Sequence, residues 1–320
     1  MADSSKVSIY AAMAANVGIA IAKFVGASIG GSSAMLAEGF HSVVDSANEV
    51  LLLYGLKRSE IGPDERHPLG HGQELYFWSL VVAVLIFSMG GGFSIYEGIH
   101  SFENPEPSSN ATISYAVLAI AAVFEGAALV VSVREFNKER PENIGFIKAI
   151  RRSKDPSRFI VIFEDAAALL GLLIAFTGVF LSQYTGNAMY DGIASIIIGT
   201  LLIGVATVLV LETKGLLIGE SALPEVQQSI YTIVESDEAV TKAEPPITLH
   251  LGPKDIMVAL NIEFEDELTS DQIEIAVIRI ESAIRETHPD VRRIFVEAAS
   301  MRTTKPEMEL AKTDPAPQKT

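Results

Sequence analysis

Ala37-Glu38-Gly39-Phe40-His41-Ser42-Val43-Val44-Asp45-Ser46 places an imidazole and two carboxylates inside a run that is otherwise apolar enough to enter a membrane. An ionisable group within a bilayer is costly, so by default it marks function. His41 and Asp45 stand four residues apart, one turn up the same helix face. One imidazole and one carboxylate in that geometry grip a single divalent cation, at ~2.0–2.2 Å per bond for zinc. The structural alternative is a His–Asp hydrogen bond that ties helices together. Two ligands do not close a tetrahedral site, so the metal reading needs another helix.

The surrounding chain supplies helices. A span needs about 20 mostly apolar residues, and six such stretches are predicted at 8–29, 33–55, 75–99, 112–133, 159–181 and 191–212. Gly, Ala and Ser are frequent within them, as expected where helices pack closely. Orientation follows from Lys and Arg in the short loops. The 30–32, 100–111 and 182–190 connections hold none. The 56–74 loop holds Lys57, Arg58 and Arg66, and 134–158 holds eight, from Arg134 to Arg158. Alternate loops are thus basic or bare, and six spans leave both termini in the cytoplasm.

Composition agrees with a chain of two unlike parts. Hydrophobic residues make up 49% and mean hydropathy is +0.32, although there are 40 acids and a net charge of −16. Residues 215–320 carry 20 acidic and 10 basic side chains, so they supply −10 of that charge. The acidity belongs to a solvated tail and excludes nucleic acid as a partner. The chain lacks cysteine, which removes disulfides and thiolate metal sites. The opening MADSSKVSIY has neither signal-peptide nor transit-peptide features, and the expected location is a prokaryotic cytoplasmic (inner) membrane. Asn110-Ala111-Thr112 forms a glycosylation sequon, read as chance.

Beyond Lys214 the pattern changes. Residues 222–238 read as a helix with Pro224 in its first turn. Ile247–Leu251 and Ile256–Phe264 alternate like strands around Gly252-Pro253-Lys254. Ser270–Thr287 is amphipathic, with Ile273, Ile275, Ala276, Ile278, Ile280 and Ile284 expected inward, and Arg293–Ala298 reads as a third strand. The expected fold is therefore an all-α six-helix transmembrane bundle (1–213) with a small α+β ferredoxin-like C-terminal cytoplasmic domain (214–302) of order αββαβ. Residues 303–320 read as a disordered tail.

Other chemistry-bearing residues cluster around the opening pair. The fifth span offers Glu164 and Asp165, neighbours that point about 100° apart, so one of them is expected to face a common centre. That second acidic span favours metal over the hydrogen-bond alternative. Glu125 lies mid-span, as a ligand or proton carrier, or else a helix-packing hydrogen bond. Glu49 lies one turn beyond Asp45 and lines the pathway. Glu38 lies beside the ligands, and Lys23 in the first span either pairs with one of these carboxylates, the preferred reading, or snorkels toward the interface. Asp191 and Glu97 are read as interface residues. In the 56–74 loop, Asp64, His67 and His71 are spaced D-x-x-H-x-x-x-H, with ligand types suited to zinc. Their alternative is a capped loop with histidines on backbone or lipid phosphate.

Residues 37–46 resemble the second-span signature of the cation diffusion facilitators, a family of metal/proton antiporters. The likeness continues through Gly70-His71-Gly72-Gln73-Glu74, Asp191-Gly192-Ile193-Ala194-Ser195 and Ile218-Gly219-Glu220-Ser221-Ala222, covering roughly residues 8–300. The resemblance implies a transport site of His41, Asp45 and Asp165, with Glu164, Glu125 and Glu49 in the metal or proton pathway. It also implies a loop site of Asp64, His67 and His71, and a homodimer. The family's fifth-span histidine position holds Val161, a departure shared with the branch containing the mitochondrial zinc transporter nine. Oxygen-richer ligation then admits manganese, iron or cobalt beside zinc. The tail metal positions hold Asn261 and Val296, so that site is expected to be lost, and His250 and His288 are read as surface residues.

The expected function is divalent metal cation/proton antiport, exporting zinc, manganese, iron or cobalt from the cytoplasm; it is not enzymatic. The metal is cargo rather than a resident cofactor, and the partners are metal ions, protons, lipid and a second copy. The alternative is a non-transporting membrane metal sensor. An intramembrane hydrolase is disfavoured because no H-E-x-x-H-like motif is present.

Overall fold

Two long helices open the chain because Gly31, at φ +70°, lets it reverse in a single turn. In the computed structural model the backbone is described for residues 2–105, 111–140 and 144–298, with side chains from Asn16 onward apart from Glu139. The sequon at Asn110 and the predicted tail 303–320 lie outside the described residues. Helix α1 spans Ala2–Gly30 and α2 spans Ser33–Ser59, where Ser32 accepts a hydrogen bond from the Met35 N–H at 3.1 Å.

The predicted third span is one continuous rod of three pieces: α3 (Glu74–Leu85), a π-helical turn (Ile86–Gly92) and α4 (Phe93–Glu103). The glycines at 90–92 make the wider turn accessible. Helices α5 (Ala111–Glu139), α7 (Pro156–Thr185) and α8 (Met189–Ile218) follow, with a short α6 (Phe146–Arg152) that was not predicted in the basic loop. Asp155 caps α7, and Pro156 starts it.

Among the described residues, four helical rods are long and apolar enough to cross a membrane: Glu74–Glu103, Ala111–Lys138, Pro156–Thr185 and Met189–Ile218. Asn16–Gly30 is a shorter apolar stretch of α1. Helix α2 falls short in composition because of the polar residues it carries between Glu38 and Glu49. Val123, Leu173 and Leu211 point outward from their helices, the pattern of a bundle solvated by lipid. This part of the chain is a membrane protein with its polar groups turned inward.

Helix α2 packs against α1, α3, α7 and α8, and α5 bridges α1 and α7. Helices α4 and α8 touch backbone to backbone: a Cβ added at Gly98 would lie 2.8 Å from the Gly192 carbonyl oxygen and 2.7 Å from Ile196 N. Asp191 corrects the sequence reading. It is buried, and its carboxylate accepts hydrogen bonds from Ser32 Oγ (2.7 Å), Ser33 N (2.5 Å), Ser33 Oγ (2.9 Å) and Ala34 N (3.3 Å). The free N–H groups and positive dipole end of α2 explain why an acid is kept there.

The chain divides into two compact units at the Ile218–Gly219 bond. The second contains α9 (Pro224–Glu235), β1 (Val240–Ala243), β2 (Ile247–Gly252), β3 (Asp255–Phe264), α10 (Ser270–Thr287) and β4 (Val291–Ala298). Strand β3 is central, antiparallel to β1 and β2 along one edge and parallel to β4 along the other. Its buried residues Ile256, Val258, Leu260, Ile262 and Phe264 alternate with half-buried ones, and they face α9 and α10 side chains such as Ile230, Ile280 and Ile284.

The predicted order αββαβ thus becomes αβββαβ. The added strand, Val-Thr-Lys-Ala, is too short to show alternation. Ile275 and Ile278 were expected inward and are 59% and 65% exposed; the true stripe is Ala276, Ile280 and Ile284. Helix α10 begins at a reciprocal capping box between Thr269 and Gln272. His250, expected at the surface, is buried, with Nδ1 3.2 Å from the Gly252 carbonyl.

Candidate metal centre

Helical spacing puts His41, Asp45, Asn48 and Glu49 on successive turns of one face of α2. Asp45 and Glu49 line a cavity of about 370 Å³, together with Glu125 from α5 and Val161, Glu164 and Asp165 from α7. Five carboxylates from three helices therefore converge on one space inside the apolar part of the chain. Both Glu164 and Asp165 reach it, against the expectation that only one would. The cavity is wide enough to meet both directions, and each acid has its own anchor. Asn48 Nδ2 donates to Glu164 Oε1 at 2.7 Å, and Ser132 Oγ donates to Asp165 Oδ2 at 2.7 Å. Asn16 Nδ2 likewise donates to Glu49 Oε1 at 2.7 Å.

His41 is 1% exposed and does not itself line the cavity; its Nδ1 lies 3.3 Å from Oδ1 of the lining residue Asp45 without forming a hydrogen bond. Among the described residues, neither ring nitrogen has a hydrogen-bond partner, nor does Asp45 Oδ1. Buried polar atoms are normally paired, so a histidine and a carboxylate with unpartnered donor atoms fit a cation between them. Val161 lies on the wall itself and contributes no donor. Lys23 from α1 is completely buried, with Nζ 3.1 Å from Glu38 Oε2 and 3.6 Å from Glu125 Oε1, as the sequence reading anticipated. Glu97 lies apart, lining a separate cavity with His100 and Ser33.

The loop set has tighter geometry. Among the described residues, Asp64, His67 and His71 are the group whose donor atoms all lie within 4.8 Å of one another. His67 Nδ1 is 3.2 Å from Asp64 Oδ1, and His71 Nε2 is 3.4 Å from Asp64 Oδ2. Gly70, at φ +82°, turns the chain so that His71 comes back under Asp64. His71 is buried, and its Nδ1 lies 3.3 Å from the Gly62 carbonyl. A proton on Nδ1 bonded to that carbonyl leaves Nε2 free to bind a metal. The His67 backbone N–H (2.6 Å) and then the Arg66 N–H (2.9 Å) hold the Asp64 carboxyl below its ordinary range.

Sequence comparison decides the family. The cation efflux transmembrane domain matches residues 9–218. This chain belongs to the cation efflux family. It is 35% identical over 241 residues to the proton-coupled zinc antiporter SLC30A9, mitochondrial, of Xenopus laevis, covering 75% of this chain and 43% of that protein. It is 33% identical to metal tolerance protein C4 of Arabidopsis thaliana, covering 74% of this chain and 52% of the relative. The chain thus spans about half the length of these curated relatives. At 23% identity it also aligns with the manganese efflux system protein MneP of Bacillus subtilis (strain 168), over 89% of this chain and 92% of that protein. These likenesses agree with a family member near the zinc antiporter branch.

The residues that sequence reasoning missed are the neutral anchors Asn16, Asn48 and Ser132. Asn48 carried a signal, since it lies three residues beyond Asp45 on the polar face of α2. Ser132 carried none, because serine in a span is ordinary helix-packing material.

Proposed function

We propose that this chain exports a divalent metal cation from the cytoplasm in exchange for protons, with zinc preferred over manganese, iron and cobalt. The observation that carries the reading is the convergence of five carboxylates on one intramembrane cavity beside His41, whose ring nitrogens have no partner among the described residues. Isolated buried charges are costly, and a transported cation would balance them. His41, Asp45 and Asp165 form the proposed transport site. Glu164 substitutes for the imidazole absent at Val161, and Glu49 lines the cytoplasmic approach.

In the proposed topology α1, α2, the α3–α4 rod, α5, α7 and α8 give six spans with both ends cytoplasmic, supported by the alternation of basic and bare loops. The transmembrane part then ends near residue 213, and the following ferredoxin-like unit is a cytoplasmic domain serving a homodimer. The protein acts as a secondary transporter, not an enzyme. Asp64, His67 and His71 take metal on the cytoplasmic side for delivery or regulation.

Coupling follows from ligand chemistry. Imidazole and carboxylate bind metal only after losing protons, so metal loading releases protons and proton loading ejects metal. The relatives named as a zinc antiporter and a manganese efflux protein support cargo of this class. The test is flux in proteoliposomes under an imposed pH gradient. His41→Ala and Asp45→Ala are each expected to lower zinc transport on the order of 100-fold, at least the loss seen for residues that merely support ligands. Unchanged transport in both variants would sink the site. Growth of an efflux-deficient bacterial host on zinc, manganese, cobalt and iron tests the cargo.

A further inference from the structure

Lys23 is a buried charge to which the transport scheme assigns no task. It is 0% exposed, and its ammonium meets three oxygens: Ser42 Oγ at 2.7 Å, Glu38 Oε2 at 3.1 Å and Glu125 Oε1 at 3.6 Å. Two of these belong to α2 and the third to α5. An ammonium has three donors, so Lys23 can engage all three. Glu125 is also one of the five acids lining the cavity. It faces two claims, from the fixed lysine on one side and from any cation in the cavity on the other.

We propose that Lys23 is a metal-specificity residue, which ties Glu125 to the cavity wall and so withholds one carboxylate from the transported ion. The inference rests on reading the cavity as the metal site. Glu125 cannot swing toward a metal without cost, because Lys23 would be left with Glu38 and Ser42 alone, buried beside a new divalent charge. The ion is then bound through His41 and a reduced set of oxygens. A mixed nitrogen–oxygen set of about four ligands suits zinc. Manganese favours more numerous, all-oxygen ligands, and Glu125 is the oxygen donor it would need. Lys23 thereby restores zinc preference to a site that lacks the fifth-span imidazole.

Two charge-matched variants of the full chain separate this role from simple packing. Lys23→Met/Glu38→Gln removes one positive and one negative charge and frees Glu125. Lys23→Met/Glu125→Gln removes the same charges and takes Glu125 away. Both are made with Asp64, His67 and His71 changed to Ala, so that binding reports the membrane site alone. Zinc and manganese affinities are measured by competition on detergent-solubilised protein of normal gel-filtration profile. The first variant is expected to shift the ratio toward manganese on the order of tenfold, within the range for altered support of metal ligands. The second is expected to keep the parental ratio. Lys23→Gln leaves a donor for Glu38 without the charge and is a milder change, expected to shift the ratio in the first variant's direction.

Equal ratios in the two charge-matched variants would overturn the inference, as would an unshifted ratio in Lys23→Gln. A parent that binds neither metal, or binds both unaltered after Asp45→Ala, would instead overturn the transport-site reading beneath it.

Discussion

Glu38 is held from two sides. Lys23 pairs with one carboxylate oxygen, and the other oxygen packs directly over the α-carbon of Gly171. A Cβ at residue 171 would collide with that oxygen. Gly171→Ala is expected to force Glu38 off Lys23 and to lower stability by about 1–3 kcal/mol, the usual cost of overpacking. A reduced thermal midpoint of the solubilised protein would register it. Gly18 provides the control, since none of the described residues lies within 4 Å of a Cβ there. At this scale the charged residues were legible in the sequence, because His41, Asp45, Glu164 and Asp165 interrupt apolar runs. The neutral anchors were not, since Asn and Ser do not stand out against a background of small residues. A helical wheel also gives directions without distances, and so it understated how many acids one cavity can collect.

Among the elements, α2 depends on a residue from the far end of the bundle's sequence. Asp191 in α8 accepts hydrogen bonds from Ser32, Ser33 and Ala34 at the start of α2. Asp191→Asn keeps the shape but loses the charge and part of the acceptor capacity. The loss is expected to be about 0.5–2 kcal/mol, as for a removed helix cap. Faster amide exchange in the first turn of α2, spared in α7, would locate the damage; equal exchange in Asp191→Asn and the parent chain would argue against it. Most elements were legible because their periodicity is long. The exceptions have physical causes: β1 is four residues long, α6 is seven, and neither length completes a readable pattern. The outward isoleucines of α10, Ile275 and Ile278, lie off the stripe of Ala276, Ile280 and Ile284, and residue type alone does not distinguish the two faces.

Across the transmembrane unit, the loop trio is mechanically continuous with the second helix. Arg58, near the end of α2, binds Glu74, the first residue of α3, at 2.9 Å. Glu74 receives the indole N–H of Trp78 at 2.9 Å, and its own backbone N–H bonds to the His71 carbonyl at 2.9 Å. Trp78 is the single tryptophan of the chain, so its emission reports this junction. Zinc binding to Asp64, His67 and His71 is expected to change Trp78 fluorescence, and His67→Ala with His71→Ala should abolish the response. A full response in that double variant would disconnect the loop from α3. The division into an apolar and an acidic part was legible from composition alone, whereas this tethering was not, because it depends on a loop folding back on itself.

The π-helical turn at Ile86–Gly92 gives the α3–α4 rod a further property. A π turn holds one residue more than the α ladder on either side, and each residue of an α-helix advances about 100° around the axis. Passing that surplus residue along the rod would rotate α3 against α4 like the two halves of a screw joint. Since α4 is locked to α8 through Gly98 and Gly192, the rotation would fall on the half that begins at Glu74 and would be carried to α2 through the Arg58–Glu74 pair.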